Sequence, residues 1–442
     1  MTTVETDRHR RLVGADITAA AGAVCLVAVA ALVGGLLYLS GRPVQASAAP
    51  FYAHWLPHVG PGTPLAVVMG FLVVWRGPAV AARLSWWGLQ GSAYVAAVVW
   101  TLSLALVDGW QRGLAGRLTT GPEYLQEVPQ VSDVSVMIRG FTGRILDFQP
   151  DSWTTHVAGH PPGALLVFVG LDRLGLGGGG WAALVCVLVG SLAAVAVPET
   201  VRLLSGSVDA ARAIVPFAVL FPGAVWIGVS ADGLFAGVTA VGIMLLARRR
   251  TVSAVAGGAL LAFGVFLSYG LVLMAPVALV ALFLGGRGAG DGLRRATGAA
   301  VGAVIVVGAF TAAGFWWFDG YRLVVERYYQ GLASVRPYAY WVWANLPALV
   351  ACAGPAVAVV LRRAFVDRSL NASRLLPLAA AAAIVAADLS GLSKAETERI
   401  WLPFGVWFAA GMALVPEGSR SVWLAVQAGT ALLVNHLLLT SW

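Results

Sequence analysis

Long apolar runs alternate with short polar stretches along the chain, and within each run the apolar residues are continuous rather than every second one. A helix needs ~20 apolar residues to cross the hydrocarbon core, and about a dozen runs of that order are present. They fall near 17–39, 64–83, 85–107, 181–204, 211–228, 232–246, 252–266, 271–284, 297–317, 341–361, 375–392, 400–415 and 421–439. Their continuity excludes a closed β-barrel, whose strands alternate between lipid and lumen. The pattern predicts an all-α polytopic integral membrane protein with about twelve or thirteen transmembrane helices.

The punctuation between runs orients them. Arg76 and Arg83, then Arg248–Arg250, Arg294 with Arg295, and Arg362, Arg363 with Arg368 occupy alternate connections, as the excess of basic residues in cytoplasmic loops requires. The short basic N-terminus precedes a run too long for a signal peptide and reads as cytoplasmic, ahead of a retained first span. The loops 108–159, 318–340 and 393–399 then lie outside. One segment, 161–174, is too short to fit this alternation, and a full crossing there would put the arginine clusters on the wrong side. It is expected to be re-entrant, which is allowed where protein or water covers the backbone.

The longest polar stretch, 108–159, carries Glu123, Tyr124, Glu127, Asp133, Arg139, Arg144, Asp147 and Asp151, and closes on THVAGHPPG at 155–163. Within it Val131, Val134, Met137, Ile138, Phe141 and Ile145 recur at helical spacing, so one or two amphipathic helices are expected to lie on the membrane surface and roof a cavity. Loops this long are usually functional.

Composition narrows the classes. Of 442 residues, 59% are hydrophobic and 11% charged, and mean hydropathy is +0.81. The net charge of +8 follows from arginines in cytoplasmic loops and gives no footprint for nucleic acid. Cys25, Cys186 and Cys352 each sit in an apolar run, with no disulfide framework and no Cys/His metal spacing. A chain rich in alanine and arginine with a single lysine, Lys394, suits a high-GC bacterial genome.

Several residues have the right chemistry for a site. Lys394 lies in SKAETERIW with Glu396, Glu398 and Arg399; it reads either as a charge-compensated loop or as a phosphate clamp, with arginine adding bidentate geometry. His156 and His160 stand four apart, which on one helical face would suit a divalent cation shared with a carboxylate. Pro161 and Pro162 break that helix, leaving hydrogen bonding to an acceptor or a phosphate oxygen, or a plain helix start. Asp232 follows Ser230 at the start of a span, where a helix-dipole role also explains it. Tyr269 and the aromatic residues from Phe315 to Trp343 read as an interfacial belt; interleaved with Arg322, Glu326, Arg327 and Arg336, they also suit a stacked sugar. His54 and His58 look like interface residues.

The acidic-aromatic pair Glu123-Tyr124 in a first large outer loop, the closing His-Pro-Pro at 160–162, and FPGAVWIGVSADGLFAGVTAVGIMLLA downstream together resemble the GT-C superfamily of polyprenyl-phosphate-sugar-dependent glycosyltransferases, of the protein mannosyltransferase and aminoarabinose transferase type. The resemblance implies a membrane core at 85–270 that includes loop 108–159, an added N-terminal helix pair at 1–84, and C-terminal membrane helices at 271–442. It also implies a site on the outer face of a bacterial cytoplasmic membrane, with a polyprenyl-phosphate sugar as donor, a lipid or glycan as acceptor, and membrane lipids around it. The Asp or Asp-Glu pair of the family's catalytic loop is absent here, so Glu123 matches the base position, with Asp133 as the alternative and His160 beside them. Tyr124, His156, Asp232, Tyr269, Arg327, Lys394, Glu396 and Arg399 complete the expected site. A divalent cation is compatible with this chemistry but not required. A transporter or lipid flippase, or a scaffold that has lost catalysis, are the competing classes.

Overall fold

Apolar runs fold as helices because, away from water, each backbone N–H and C=O must find its partner within its own segment. A computed structural model describes residues 3–286 and 288–440, with side chains from residue 13 onward. The polar N-terminal stretch read as cytoplasmic lies largely outside the described side chains. Helix α1 (Thr3–Leu39) is followed by strand β1 (Ala53–Trp55), α2 (Thr63–Arg83) and α3 (Trp86–Ala105). After the long polar loop, which contains α4 (Val134–Gly140), come α5 (Pro162–Arg173), α6 (Gly179–Gly190), α7 (Ala193–Ser205), α8 (Val208–Val219), α9 (Ala231–Ala247), α10 (Thr251–Leu267), α11 (Ala275–Gly285) and α12 (Ala289–Ala312). The chain ends with α13 (Trp317–Gln330), α14 (Tyr338–Ala353), α15 (Ala356–Val366), α16 (Ala372–Leu389), α17 (Glu417–Leu437) and β2 (Leu438–Thr440). Strands β1 and β2 pair antiparallel, with His54 opposite Leu439.

The molecule is an all-α multi-pass membrane protein. Six helical stretches among the described residues are long and apolar enough to cross a bilayer: Val13–Leu39, Thr63–Arg83, Trp86–Asp108, Gly179–Ser205, Ala289–Ala312 and Ala372–Leu389. Helices α14 and α15, bent by 103°, together make a seventh. Four further apolar helices run shorter: Ala231–Ala247, Thr251–Leu267, Tyr269–Gly285 and Leu402–Leu414. Six or seven spans thus stand among the described residues where twelve or thirteen were expected, and the sequence shows why other runs fall short. The run 211–228 is helical only to Val219, since Pro222-Gly223 interrupts it before a single turn at Ala224–Ile227. The run 400–415 is two short turns and a 3-10 stretch, Val406–Leu414, rather than one α-helix.

The bundle has a basic end and a loop end. At the basic end buried Asp16 on α1 binds Arg362 at 3.3 Å and receives both Nε and Nη2 of Arg363, on α15. Glu199 takes two hydrogen bonds of 2.7 Å from Arg202 and one of 2.9 Å from Trp86. Arg212 donates to the carbonyls of Ala81 and Leu84 at the end of α2. Arg295, fully buried near the start of α12, donates to Leu246 on α9 and Leu282 on α11, so one guanidinium closes the last turns of two helices.

Helix α5 begins and ends at the loop end. Gly163 lies so close to Phe266 that an added Cβ would come within 2.4 Å of its carbonyl oxygen. At the other terminus Arg173 donates to Ser132 of the polar loop at 3.1 Å, and the following Gly179 packs on the backbone of Ala115. The segment does not cross the bundle, which keeps the arginine clusters on a common end.

The polar loop differs from its expected form. Its α-helical parts are Val134–Gly140 and the single turn Thr155–Ala158; Gln111–Ala115 is a π-helical turn, and 3-10 turns lie at Arg117–Thr119, Tyr124–Gln126, Val128–Gln130 and Phe141–Arg144. Its apolar residues turn inward, with Phe141 and Ile145 fully buried. The longer surface helix is α13, expected only as an aromatic belt. It clamps the polar loop through Arg327, 2.6 Å from Asp147, and Gln330, which accepts the Asp147 N–H at 2.8 Å.

Candidate active site

At the loop end, three separate segments deliver charged side chains to one buried cluster. The first is the polar loop with the turn Thr155–Ala158. Glu123 is 2% exposed, and its Oε1 lies 2.9 Å from His156 Nδ1. On its other side His156 Nε2 stands 3.4 Å from an Arg399 nitrogen. A guanidinium only donates, so Nε2 accepts and the ring's proton sits on Nδ1, directed at Glu123. The second segment is the start of α9, where Ser230 occupies the N-cap position and Asp232 follows in the first turn. Asp232 receives a 2.6 Å bond from Arg399, so it is an ion-pair partner as well as a dipole complement. The third is the 393–399 loop, whose Glu396 accepts from Arg399 at 2.8 Å and from Arg336 at 3.1 Å.

That loop is held in an uncommon shape. Ala395 and Glu396 both have positive φ, 68° and 63°, a region costly for side chains other than glycine and kept only where surroundings impose it. Here Asn345 of α14 accepts the Ala395 N–H at 3.3 Å and donates to the Ser393 carbonyl at 2.6 Å and to Asp388 at 2.7 Å. Arg336 adds a 2.7 Å bond to the Lys394 carbonyl. A lone asparagine inside the apolar run 341–361 was the one sequence signal for this support.

The electrostatics follow from burial and pairing. Burial works to raise Glu396, but Arg399 and Arg336 outweigh it and hold its carboxyl below the usual range. Burial likewise works against the Arg399 charge, and Asp232 with Glu396 more than restore it. At Glu398 burial outweighs the backbone hydrogen bonds and Arg399 and pushes the carboxyl up to about 7. Its Oε1 accepts the Tyr52 N–H at 2.9 Å, while Oε2 is buried without a hydrogen bond. His160 is pushed down to about 4 by burial and is neutral at physiological pH; its Nδ1 lies 2.7 Å from the His156 carbonyl. Tyr124, raised by burial and then by Glu123, packs its ring 5.7 Å from His160 and 5.2 Å from Phe168. Beyond Phe168 is a cavity of about 270 Å³ between the polar loop and the α5–α6 corner, lined by Leu125, Val128, Phe168, Leu171 and Asp172 among others.

The structure thus gathers Glu123, Tyr124, His156, His160, Asp232, Glu396 and Arg399, and leaves four expected residues apart. Asp133 is exposed and caps α4, its Oδ1 accepting from Ser135 and Val136 at 2.7 and 3.2 Å; those bonds lower its pKa and tie Oδ1 to the backbone. Arg327 is committed to Asp147. Tyr269 packs on Trp317 and Tyr321. Lys394 borders the cluster but turns its ammonium to the Ala333 carbonyl at 3.0 Å, over the Tyr329 ring. Tyr52, Asn345 and Glu398 were not expected in the site.

A divalent cation does not suit this arrangement. Among the described residues no group of three or more His, Cys, Asp or Glu is placed to hold one. The two histidine rings are 6.5 Å apart and edge-on, and His156 Nε2 points at a guanidinium, where a second cation would be repelled.

Two carboxylates of the polar loop make the chemical contrast plain. Glu127 uses both oxygens, accepting from the Thr154 N–H at 2.9 Å and facing Arg144 at 3.4 Å. Glu123 uses one, and its Oε2 is buried with no hydrogen-bond partner. A buried carboxylate oxygen left unpaired costs stability unless something else meets it. Compared with protein-family models, curated proteins and solved structures, the chain matches none.

Proposed function

We propose that this protein is a membrane glycosyltransferase of GT-C character that moves a sugar from a polyprenyl-phosphate donor to a lipid or glycan acceptor of the cell envelope, on the outer face of a bacterial cytoplasmic membrane. The observation that carries this reading is Glu123: a buried carboxylate with one oxygen fixed by His156 and the other unpaired. The acceptor hydroxyl gives its proton to Glu123 Oε2 as its oxygen forms a bond to the anomeric carbon. The bond from that carbon to the phosphate oxygen breaks, and polyprenyl phosphate leaves with the electron pair. His156 orients the base through Nδ1–H, and Arg399 fixes His156 and offsets the local negative charge. The cavity beyond Phe168 offers apolar room beside the site.

The site requires no metal in this scheme; guanidinium groups meet the charge that develops on the leaving phosphate. A carrier or flippase is the second reading, favoured by the 103° break between α14 and α15, since broken helices mark many transporters. The gathering of charge at one end rather than at mid-bundle weighs against it.

The test uses purified full-length protein and a panel of polyprenyl-phosphate sugars. Glu123→Gln is expected to lower transfer ~100-fold or more while the protein stays folded. Unchanged transfer in that variant removes the base assignment. Absence of transfer with every donor, combined with protein-dependent movement of a lipid or solute across vesicles, replaces the enzyme with a carrier.

A further inference from the structure

The cations around the loop end are not equally available. Arg399 is engaged by Asp232 and Glu396, Arg327 by Asp147, Arg144 by Glu127, and Lys394 by the Ala333 carbonyl. Arg336 differs. Its Nη1 serves Glu396 and the Lys394 carbonyl, but Nε and Nη2 are buried and have no hydrogen-bond partner. The side chain is 5% exposed.

Those two nitrogens form one edge. Nε–H and one Nη2–H project side by side, at the spacing of two oxygens of a carboxylate or phosphate. Elsewhere in this molecule the same edge is closed by a carboxylate: Arg202 places Nε and Nη2 on Glu199 at 2.7 Å each, and Arg363 does so on Asp16. Arg117, whose Nε and Nη2 are also without hydrogen bonds, still faces Asp108 at 3.6 Å. At Arg336 the hydrogen bond to Glu396 is made through Nη1, and no carboxylate hydrogen-bonds Nε or Nη2. Half-buried Tyr52 lies over the guanidinium, its ring centre 4.9 Å away, and its hydroxyl is the polar neighbour of that side chain, so an incoming ligand shares Arg336 with a neutral phenol.

We infer that the Nε/Nη2 edge of Arg336 is an oxyanion-binding site that takes a phosphate group in bidentate fashion, with Tyr52 over the guanidinium. Arg399 is met by Asp232 and Glu396, so Arg336 shares Glu396 with it and offers its remaining edge to a further oxyanion; Glu398, held by the Tyr52 backbone, is another acid of this cluster. The proposal rests on the glycosyltransferase reading only for the owner of that phosphate, which is then the lipid carrier of the donor; free phosphate presents the same chemistry.

The experiment measures binding of two probes, inorganic phosphate and a short-chain prenyl phosphate, to the full-length protein in detergent micelles by calorimetry, with melting temperature followed in parallel. The native protein is expected to bind at least one probe. Arg336→Lys keeps the charge and replaces the fork with a point donor, and affinity is expected to fall about tenfold or more. Arg202→Lys, the same change at a closed edge at the basic end, leaves binding unaltered. Arg336-dependent binding of the prenyl phosphate assigns the site to a lipid carrier; Arg336-dependent binding of inorganic phosphate alone assigns it to a free anion, and the site stands either way. Binding of neither probe by the native protein overturns the proposal, as does equal binding by native and Arg336→Lys protein of unchanged melting temperature. Glu398→Gln guards against a simpler pairing: if Glu398 is the true partner of that edge, its loss lowers the melting temperature as much as Arg336→Gln does, and the proposal fails. Because transfer by Glu123→Gln is a separate readout, loss of the base assignment leaves this result interpretable.

Discussion

The two ends of the bundle are built from the same residue types and use them differently. At the basic end Asp16 and Glu199 are each gripped by arginine through both Nε and Nη2, and Arg212 and Arg295 close helix termini through carbonyls. At the loop end the ion pairs are just as short, but atoms are left over: Glu123 Oε2, Glu398 Oε2, and Nε with Nη2 of Arg336 are buried and unpaired. Buried polar atoms without hydrogen bonds occur elsewhere too, Arg295 Nε at the basic end among them, but among the described residues the buried carboxylate oxygens left unpaired, Glu123 Oε2 and Glu398 Oε2, both lie at the loop end, and such an oxygen costs stability unless a ligand meets it. Closed pairs mark where the fold is held.

The largest effect expected from this contrast separates rate from stability. Glu123→Gln is expected to lower transfer ~100-fold or more with little loss of folded protein, whereas Asp16→Asn leaves two arginines facing a neutral side chain and costs stability of about 3 kcal/mol. Transfer per folded molecule is unchanged in the Asp16 variant. Measured turnover and urea midpoints for the two variants check this; a rate loss on Asp16→Asn that exceeds its folding loss would break the division between ends.

The support of the 393–399 loop gives the next largest effect. Asn345→Leu removes the acceptor of the Ala395 N–H and the donor to Ser393, so the left-handed pair Ala395-Glu396 loses its restraint and Arg399 its position. Both stability and turnover are expected to fall, by about 1–3 kcal/mol for the buried groups left unpaired and about tenfold or more for a displaced site. A variant with full turnover and a lowered midpoint would show that Asn345 supports the fold alone.

A smaller effect is expected from pH, and the two shifted groups act in opposite senses. Glu398 has a raised folded pKa of about 7, so between its unfolded value and 7 the folded state binds the extra proton and stability falls as pH rises. His160 has a lowered folded pKa of about 4, so between 4 and its unfolded value the unfolded state binds the extra proton and stability rises with pH. Glu398→Gln is expected to remove the falling component, leaving a midpoint that is higher than the native protein's at pH 8 and rises with pH from 4 to 6.5. Parallel profiles for native and variant protein would place the Glu398 carboxyl in ordinary solvent.

Much of the architecture was legible because apolar continuity and arginine placement follow from the solvent alone. The non-crossing segment at 161–174 could be read from its length and from the alternation it would break. The site was legible where charge is rare: Glu123, His156, His160, Asp232, Glu396 and Arg399 all stood out and are brought together. What could not be read is what each charge does once folded. Nothing in the order of residues distinguishes Glu127, closed by Thr154 and Arg144, from Glu123, half open four residues earlier. Tyr52 carries no local signal, since its contact with Glu398 spans most of the chain. The polar loop was overread in extent: Val134, Met137 and Ile138 lie on α4 as their spacing implies, but the same spacing at Val131, Phe141 and Ile145 belongs to 3-10 turns and irregular chain beside it.

The smallest expected effect bears on the same ambiguity. Asp133 was the alternative base, and its geometry assigns it elsewhere: an exposed carboxylate accepting two backbone N–H bonds at the start of α4. A general base must lie where the acceptor's proton is lost, and Asp133, though its Oδ2 is free of backbone bonds, sits exposed at the start of α4 and apart from the buried cluster of Glu123, His156 and Arg399. Asparagine caps a helix nearly as well as aspartate, while alanine does not cap at all. Asp133→Asn is therefore expected to keep both the melting temperature and turnover, and Asp133→Ala to lower the melting temperature slightly with turnover per folded molecule unchanged. A base at this position gives the other pattern, with Asn and Ala equally inactive whatever their stability, and that result would move the proton transfer out of the buried cluster and into the exposed loop.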